Sequence, residues 1–174
     1  MLRLQRLILV TVALLWTGKA VAEDSATIRM GFLLNFARYV EWPEASLKPE
    51  AALHICLAPG DADMVSQVGE FSRQLIQGRS IHVKQISRPA DANGCHVLYL
   101  PAETSGTTLS AWFRAAQQAG ALTVGDLPGL VEAGGMIGLI PVNGRYHFDV
   151  NLGVARQANL RISSQLLKLA RTVK

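Results

Sequence analysis

The chain has 174 residues, with 17 Lys and Arg against 13 Asp and Glu. Three of those cations, Arg3, Arg6 and Lys19, precede residue 23, so the remainder is nearly neutral and the basic balance is no nucleic-acid footprint. The roughly 150 residues that follow suit one compact domain around a single core.

Arg3 and Arg6 open the chain, an apolar run from Leu7 to Trp16 follows, and Ala20-Val21-Ala22 puts small residues where a signal peptidase cuts. The run is too short to span a bilayer comfortably, which takes roughly 20 residues. Residues 1–22 are therefore expected to be a cleaved signal peptide and 23–174 one exported α/β domain, away from ATP, NAD and nucleic acid. No later stretch is apolar for long enough to cross a membrane.

Asp24 or Ser25 can cap a helix that runs to about Val40, before Pro43 forbids its continuation. Ile28, Met30, Phe32, Leu33, Leu34, Phe36, Ala37, Tyr39 and Val40 cover about two-thirds of its circumference. A surface helix needs one apolar stripe, so this one is expected to be covered on two sides, by its own chain or by another. Ala52–Ala58 reads as a strand, Pro59-Gly60-Asp61 as a break, and Ala62–Gln77 as a helix with Met64, Val68, Phe71 and Leu75 on one face. Ser80–Ile86 alternates as a strand, Pro89–Gly94 is loop, and Cys95–Leu100 is a buried strand.

Thr107–Gln118 is helical around Leu109, Trp112, Phe113 and Ala116, and Ala121–Val124 is the next strand. Gly134-Gly135 is expected to let backbone pass close to backbone. Met136–Val142 and Tyr146–Val150 form a hairpin about Asn143-Gly144. Asn151, and Ser163 or Ser164, can cap two closing helices, Leu152–Ala158 and Gln165–Val173. This alternation predicts a single-domain three-layer α/β sandwich, its sheet mostly parallel with an antiparallel edge hairpin.

Catalytic motifs are missing: there is no GxSxG, HExxH, P-loop or GxGxxG between strand and helix. The carboxylates are scattered, apart from Asp61 and Asp63 at a helix start. No enzyme activity and no cofactor are expected. Cys56 and Cys95 are the only cysteines. In an oxidising compartment a disulfide is the favoured state, closing a loop of about 40 residues for roughly 4 kcal/mol of unfolded-state entropy. Free thiols, or a metal site that adds His54 and His96, are the competing readings.

Two segments stand apart. Phe32–Pro43 (FLLNFARYVEWP) ends in Trp42 held extended by Pro43, which suits either core packing or a protein contact. In Arg161–Arg171 (RISSQLLKLAR), Leu166, Leu167, Leu169 and Ala170 make an apolar side and Lys168 and Arg171 a basic edge, which is also what a helix terminus favours.

With these segments, Cys95-His96-Val97, Gly134–Leu139 (GGMIGL), Phe148–Leu152 (FDVNL) and Ile162–Ala170 (ISSQLLKLA), the chain resembles the YfiR-like family of bacterial periplasmic proteins over nearly all of 23–174. The resemblance implies a non-enzymatic repressor that binds the periplasmic part of an inner-membrane diguanylate cyclase and lowers cyclic-di-GMP and biofilm formation. It also implies an outer-membrane lipoprotein that sequesters the repressor, and a homodimer. Cys56 and Cys95 match one cysteine pair of the family, whose bond would keep the fold intact. A second pair found in some relatives is missing here, since Leu130–Leu139 holds no cysteine.

On that reading Arg161, Gln165, Lys168 and Arg171 are the expected receptor contacts, and Phe32, Phe36, Tyr39 and Trp42 the expected self-association surface. An alternative is a small-ligand sensor, its site outside the carboxyl ends of the strands near Pro59-Gly60-Asp61 and Pro101-Ala102-Glu103. A secreted hydrolase is the third and weakest possibility.

Overall fold

The computed structural model describes residues 25–48, 50–104 and 106–174, so the expected signal peptide lies outside the described residues. Eight strands form one sheet in the order β10-β8-β7-β6-β5-β2-β4-β3. They are β2 (Leu53–Leu57), β3 (Leu75–Ile76), β4 (Arg79–Gln85), β5 (Val97–Leu100), β6 (Leu122–Gly125), β7 (Ile137–Val142), β8 (Arg145–Val150) and β10 (Thr172–Val173). Pairing is parallel throughout, except between β3 and β4 and between β7 and β8. The expected mixed α/β fold with a mostly parallel sheet is what the molecule has. The hairpin at one margin gains a further strand, because β10 lies parallel against the outer side of β8.

All four residues of β5 are buried, as a central parallel strand requires. Val97 and Tyr99 face a core that includes α1 (Ser25–Arg38), while Leu98 and Leu100 face a second core built on α4 (Gly106–Ala119) with Trp112 and Ala116. Two cores on alternate residues make three layers. The broad apolar surface of α1 is covered within the chain: Met30, Leu33, Leu34, Phe36 and Ala37 are buried, and Phe32 and Phe36 pack their rings on Phe148. Cys56 and Cys95 are disulfide-bonded and wholly buried in the α4-side core. Their bond removes the free-thiol and metal readings.

Four expectations on element bounds change. The first helix stops at Arg38, because Val40–Glu41 (β1) pairs antiparallel with Arg161–Ile162 (β9). The helix expected over 62–77 becomes two short ones, α2 (Ala62–Ser66) and α3 (Val68–Phe71), followed by the β3–β4 hairpin. Its turn is Gln77-Gly78, at φ +51° and +77°. The Gln77 side chain donates to the carbonyls of Arg38 and Val40 at 3.1 and 2.9 Å, and so holds a conformation that a helix would not allow. Pro89–Ala92 is a single 3-10 turn where loop was expected.

The last change is at the end of the chain. α5 (Leu152–Gln157) forms with Asn151 as its cap, but the second closing helix is one turn only, α6 (Ser164–Leu167), capped by Ser163. The chain then extends into β10, since the Arg171 and Lys174 amides reach the carbonyls of Phe148 and Val150. Those bonds satisfy an open sheet edge that a longer helix would leave bare. Gly135 meets the backbone as expected, since a Cβ there would lie 3.0 Å from the Leu130 carbonyl oxygen, and it would also lie 2.5 Å from Leu130 Cγ.

Candidate docking surface and buried clusters

The two segments singled out in the sequence meet. Val40 opposes Ile162, Glu41 opposes Arg161, and the Ser163 amide donates to the Tyr39 carbonyl at 2.8 Å. Trp42, directly after β1, is half-buried, and its Nε1 donates to the His96 carbonyl at 3.1 Å. That bond pins the indole where β5 begins, at the amino end of the parallel strands. Around it opens a cleft of about 830 Å³ lined by Glu41, Trp42, Pro43, Glu44, Arg156, Asn159, Leu160 and Arg161.

Glu41, Glu44, Arg156 and Arg161 make no ion pair with any described residue, so the cleft presents both signs of charge unspent. Of the other expected contacts, Gln165 and Lys168 are exposed. Arg171 grips Asp149 through two of its three guanidinium nitrogens, Nε and Nη2, with Nε to Oδ1 at 2.9 Å, and half of its side chain stays exposed. Among Phe32, Phe36, Tyr39 and Trp42, Phe36 lies inside the chain's own core, and Tyr39 is the outward one, at 37 % exposure.

A second cluster lies at the opposite, carboxyl end of the strands. Arg29 of α1 bridges Asp61, after β2, at 2.8 Å and Asp126, after β6, at 3.0 Å. The Tyr99 hydroxyl donates to Asp126 at 2.8 Å. Burial opposes the Arg29 charge, yet the surrounding negative groups hold its pKa above the ordinary value; burial, then the Asp126 charge, pushes the Tyr99 phenol up. Asp61 also caps α2 by accepting from the Met64 amide at 3.0 Å. Sequence reasoning found that cap and the place of Asp61 at a strand end, but not its pairing with Arg29. The network holds α1 against the strand ends.

The imidazoles near the cysteines are structural. His96 Nδ1 accepts from the His54 amide at 2.9 Å and Nε2 lies 3.1 Å from the Ser46 carbonyl, which places the proton on Nε2. Burial, with smaller contributions from nearby cationic groups, holds both His54 and His96 below the usual imidazole value. Among the described residues no three His, Cys, Asp or Glu side chains converge as a metal-ligand set.

What the fold defines is an open-sheet α/β domain that carries a mixed-charge cleft beside an aromatic anchor, with no described helix long and apolar enough to cross a membrane. The chain belongs to the YfiR/HmsC-like family, whose model matches residues 26–171. That family comprises periplasmic regulators of diguanylate cyclase signalling.

Among curated proteins, none matches in sequence. Several solved structures share the fold, among them two from bacteria. A conserved domain protein from Vibrio cholerae O1 biovar El Tor matches 75 % of this chain and 57 % of its own, at 17 % identity and a TM-score of 0.50. An ABC domain in complex with L-Trp from Streptococcus pneumoniae matches 82 % of this chain and 62 % of its own, at 11 % identity and a TM-score of 0.51. The chain thus spans about three-fifths of the length of either.

Proposed function

We propose that the chain represses an inner-membrane diguanylate cyclase by binding its periplasmic part, favouring the inactive state and so lowering cyclic-di-GMP and biofilm formation. The observation that carries the reading is the family match over residues 26–171 in a domain whose two distinctive segments form one cleft. A docking protein of this kind works by differential affinity for two receptor states, and it needs surface rather than bond-making groups. Arg161, Gln165, Lys168 and the exposed half of Arg171 are the proposed receptor contacts. Tyr39 and Trp42, with Phe32 and Phe36 on the same segment, are the proposed self-association surface of a homodimer. An outer-membrane lipoprotein that covers the same cleft would release the cyclase.

The test is a deletion strain complemented in trans, with cyclic-di-GMP measured and membrane partners captured on the tagged chain. Deletion is expected to raise the nucleotide, and the native chain to restore it. Arg161→Glu with Lys168→Glu is expected to fail while keeping the native melting temperature, since both side chains are exposed. Full repression by the charge-reversed chain would remove these residues from the interface, and an unchanged nucleotide level on deletion would remove the function.

A further inference from the structure

The sheet reverses its winding between β2 and β5. The chain leaves β2 through α2 and α3 toward β4 on one side, and leaves β5 through α4 toward β6 on the other. Connections that diverge in this way open a crevice outside the carboxyl ends of the two strands, the usual ligand position in such sheets. Here the crevice is a cavity of about 290 Å³, close to the small end of known ligand sites at roughly 300 Å³. It is bounded by Pro59, Ser87, Pro89, Glu103, Thr104 and Trp112, among others.

One wall group has unmet chemistry. Thr104 is only 8 % exposed, and its Oγ1 has no hydrogen-bond partner among the described residues. Buried hydroxyls are nearly always paired, by protein, water or ligand. At the rim stands Glu103, an exposed carboxylate in no ion pair with any described residue. It is set there by a close crossing of loops: a Cβ on Gly60 would lie 3.1 Å from Glu103 Cβ and 3.2 Å from Pro101 Cγ, and Gly60 sits at φ +127°. Among the described residues that line the cavity Glu103 is the one charged side chain, which favours a cation over an anion beside it. A wholly apolar guest would leave the Thr104 hydroxyl unpaired.

We propose that this crevice binds a small primary ammonium compound with an apolar body. Its cation is held by Glu103, and its body lies against Trp112 and the two prolines while the Thr104 hydroxyl completes the hydrogen bonding. A carboxylate beside an indole is a favourable setting for an organic cation. The site is remote in the sheet from the Trp42 cleft, and the inference stands whether or not the cyclase is the receptor.

The test titrates the purified chain calorimetrically with phenethylammonium chloride, using 2-phenylethanol and 3-phenylpropionate as neutral and anionic probes of matching shape. Phenethylammonium is expected to bind saturably, the alcohol about tenfold more weakly, and the carboxylate not at all. Glu103→Gln should weaken the ammonium about tenfold, and Thr104→Val, nearly isosteric, should weaken it severalfold. Both variants should keep the native circular dichroism spectrum. The proposal is overturned by an absence of saturable ammonium binding, by equal binding of the alcohol, or by an undiminished affinity in Glu103→Gln.

Discussion

At the scale of single residues, Arg29 ties the first helix to two strand ends by charge. It neutralises two carboxylates that are about nine-tenths buried, from positions separated by long stretches of chain. Arg29→Met is expected to leave Asp61 and Asp126 buried against each other without a counter-ion, lowering stability by about 3 kcal/mol in urea titrations. His96 supplies a pH signature. Its folded-state pKa lies below the ordinary 6.5, so its contribution is complete above that pH and is lost as pH falls from there toward the folded value. Melting temperatures should therefore decline between about pH 7 and pH 5, and His96→Gln should flatten that decline. Asp61 was legible as a helix cap because capping acts over three residues. Its pairing with Arg29 was not, because nothing in local spacing encodes which distant charges a topology brings together.

At the scale of elements, the longer strands, the two longest helices and the Asn151-capped helix were legible, whereas the two-residue strands β1, β3, β9 and β10 were not. β5 and β6 announce themselves by apolar runs between breakers, and the β7–β8 hairpin by Asn143-Gly144. Residues 165–173 show helical spacing with apolar Leu166, Leu169 and Val173, yet Leu169 is 71 % exposed and Val173 lies in β10. The hydrogen bonds open on β8 and the ion pair from Arg171 to Asp149 outweigh a weak local preference. Of the docking cleft, the sequence carried both halves, Phe32–Pro43 and Arg161–Arg171, but not the β1–β9 pairing that joins them. The Arg171 hydrogen bonds hold the Asp149 carboxyl below the usual carboxylate range. The stability this provides is present above that range and disappears as pH falls through the folded value. Arg171→Met should thus lower the melting temperature at pH 7 and make progressively less difference as the solution approaches pH 2.

For the whole molecule, two distinctive regions stand at opposite ends of one sheet, the Trp42 cleft at the amino ends and the Glu103 crevice at the carboxyl ends, with α1 running beside both cores' common strands. The Cys56–Cys95 bond holds the domain from inside. In the unfolded chain it closes a loop spanning 39 positions, so Cys56→Ser with Cys95→Ser is expected to cost up to about 4 kcal/mol and to lower the thermal midpoint. Both cysteines have zero solvent exposure, and that burial has a further consequence. A thiolate must touch sulfur to exchange with it, so dithiothreitol should act on this protein only through molecules that have already opened. Thiol release should then quicken in step with added urea instead of with reductant strength alone. A cell's reducing chemistry would in that case destroy damaged copies and pass over sound ones, acting as an inspector of the fold and conveying no message through it.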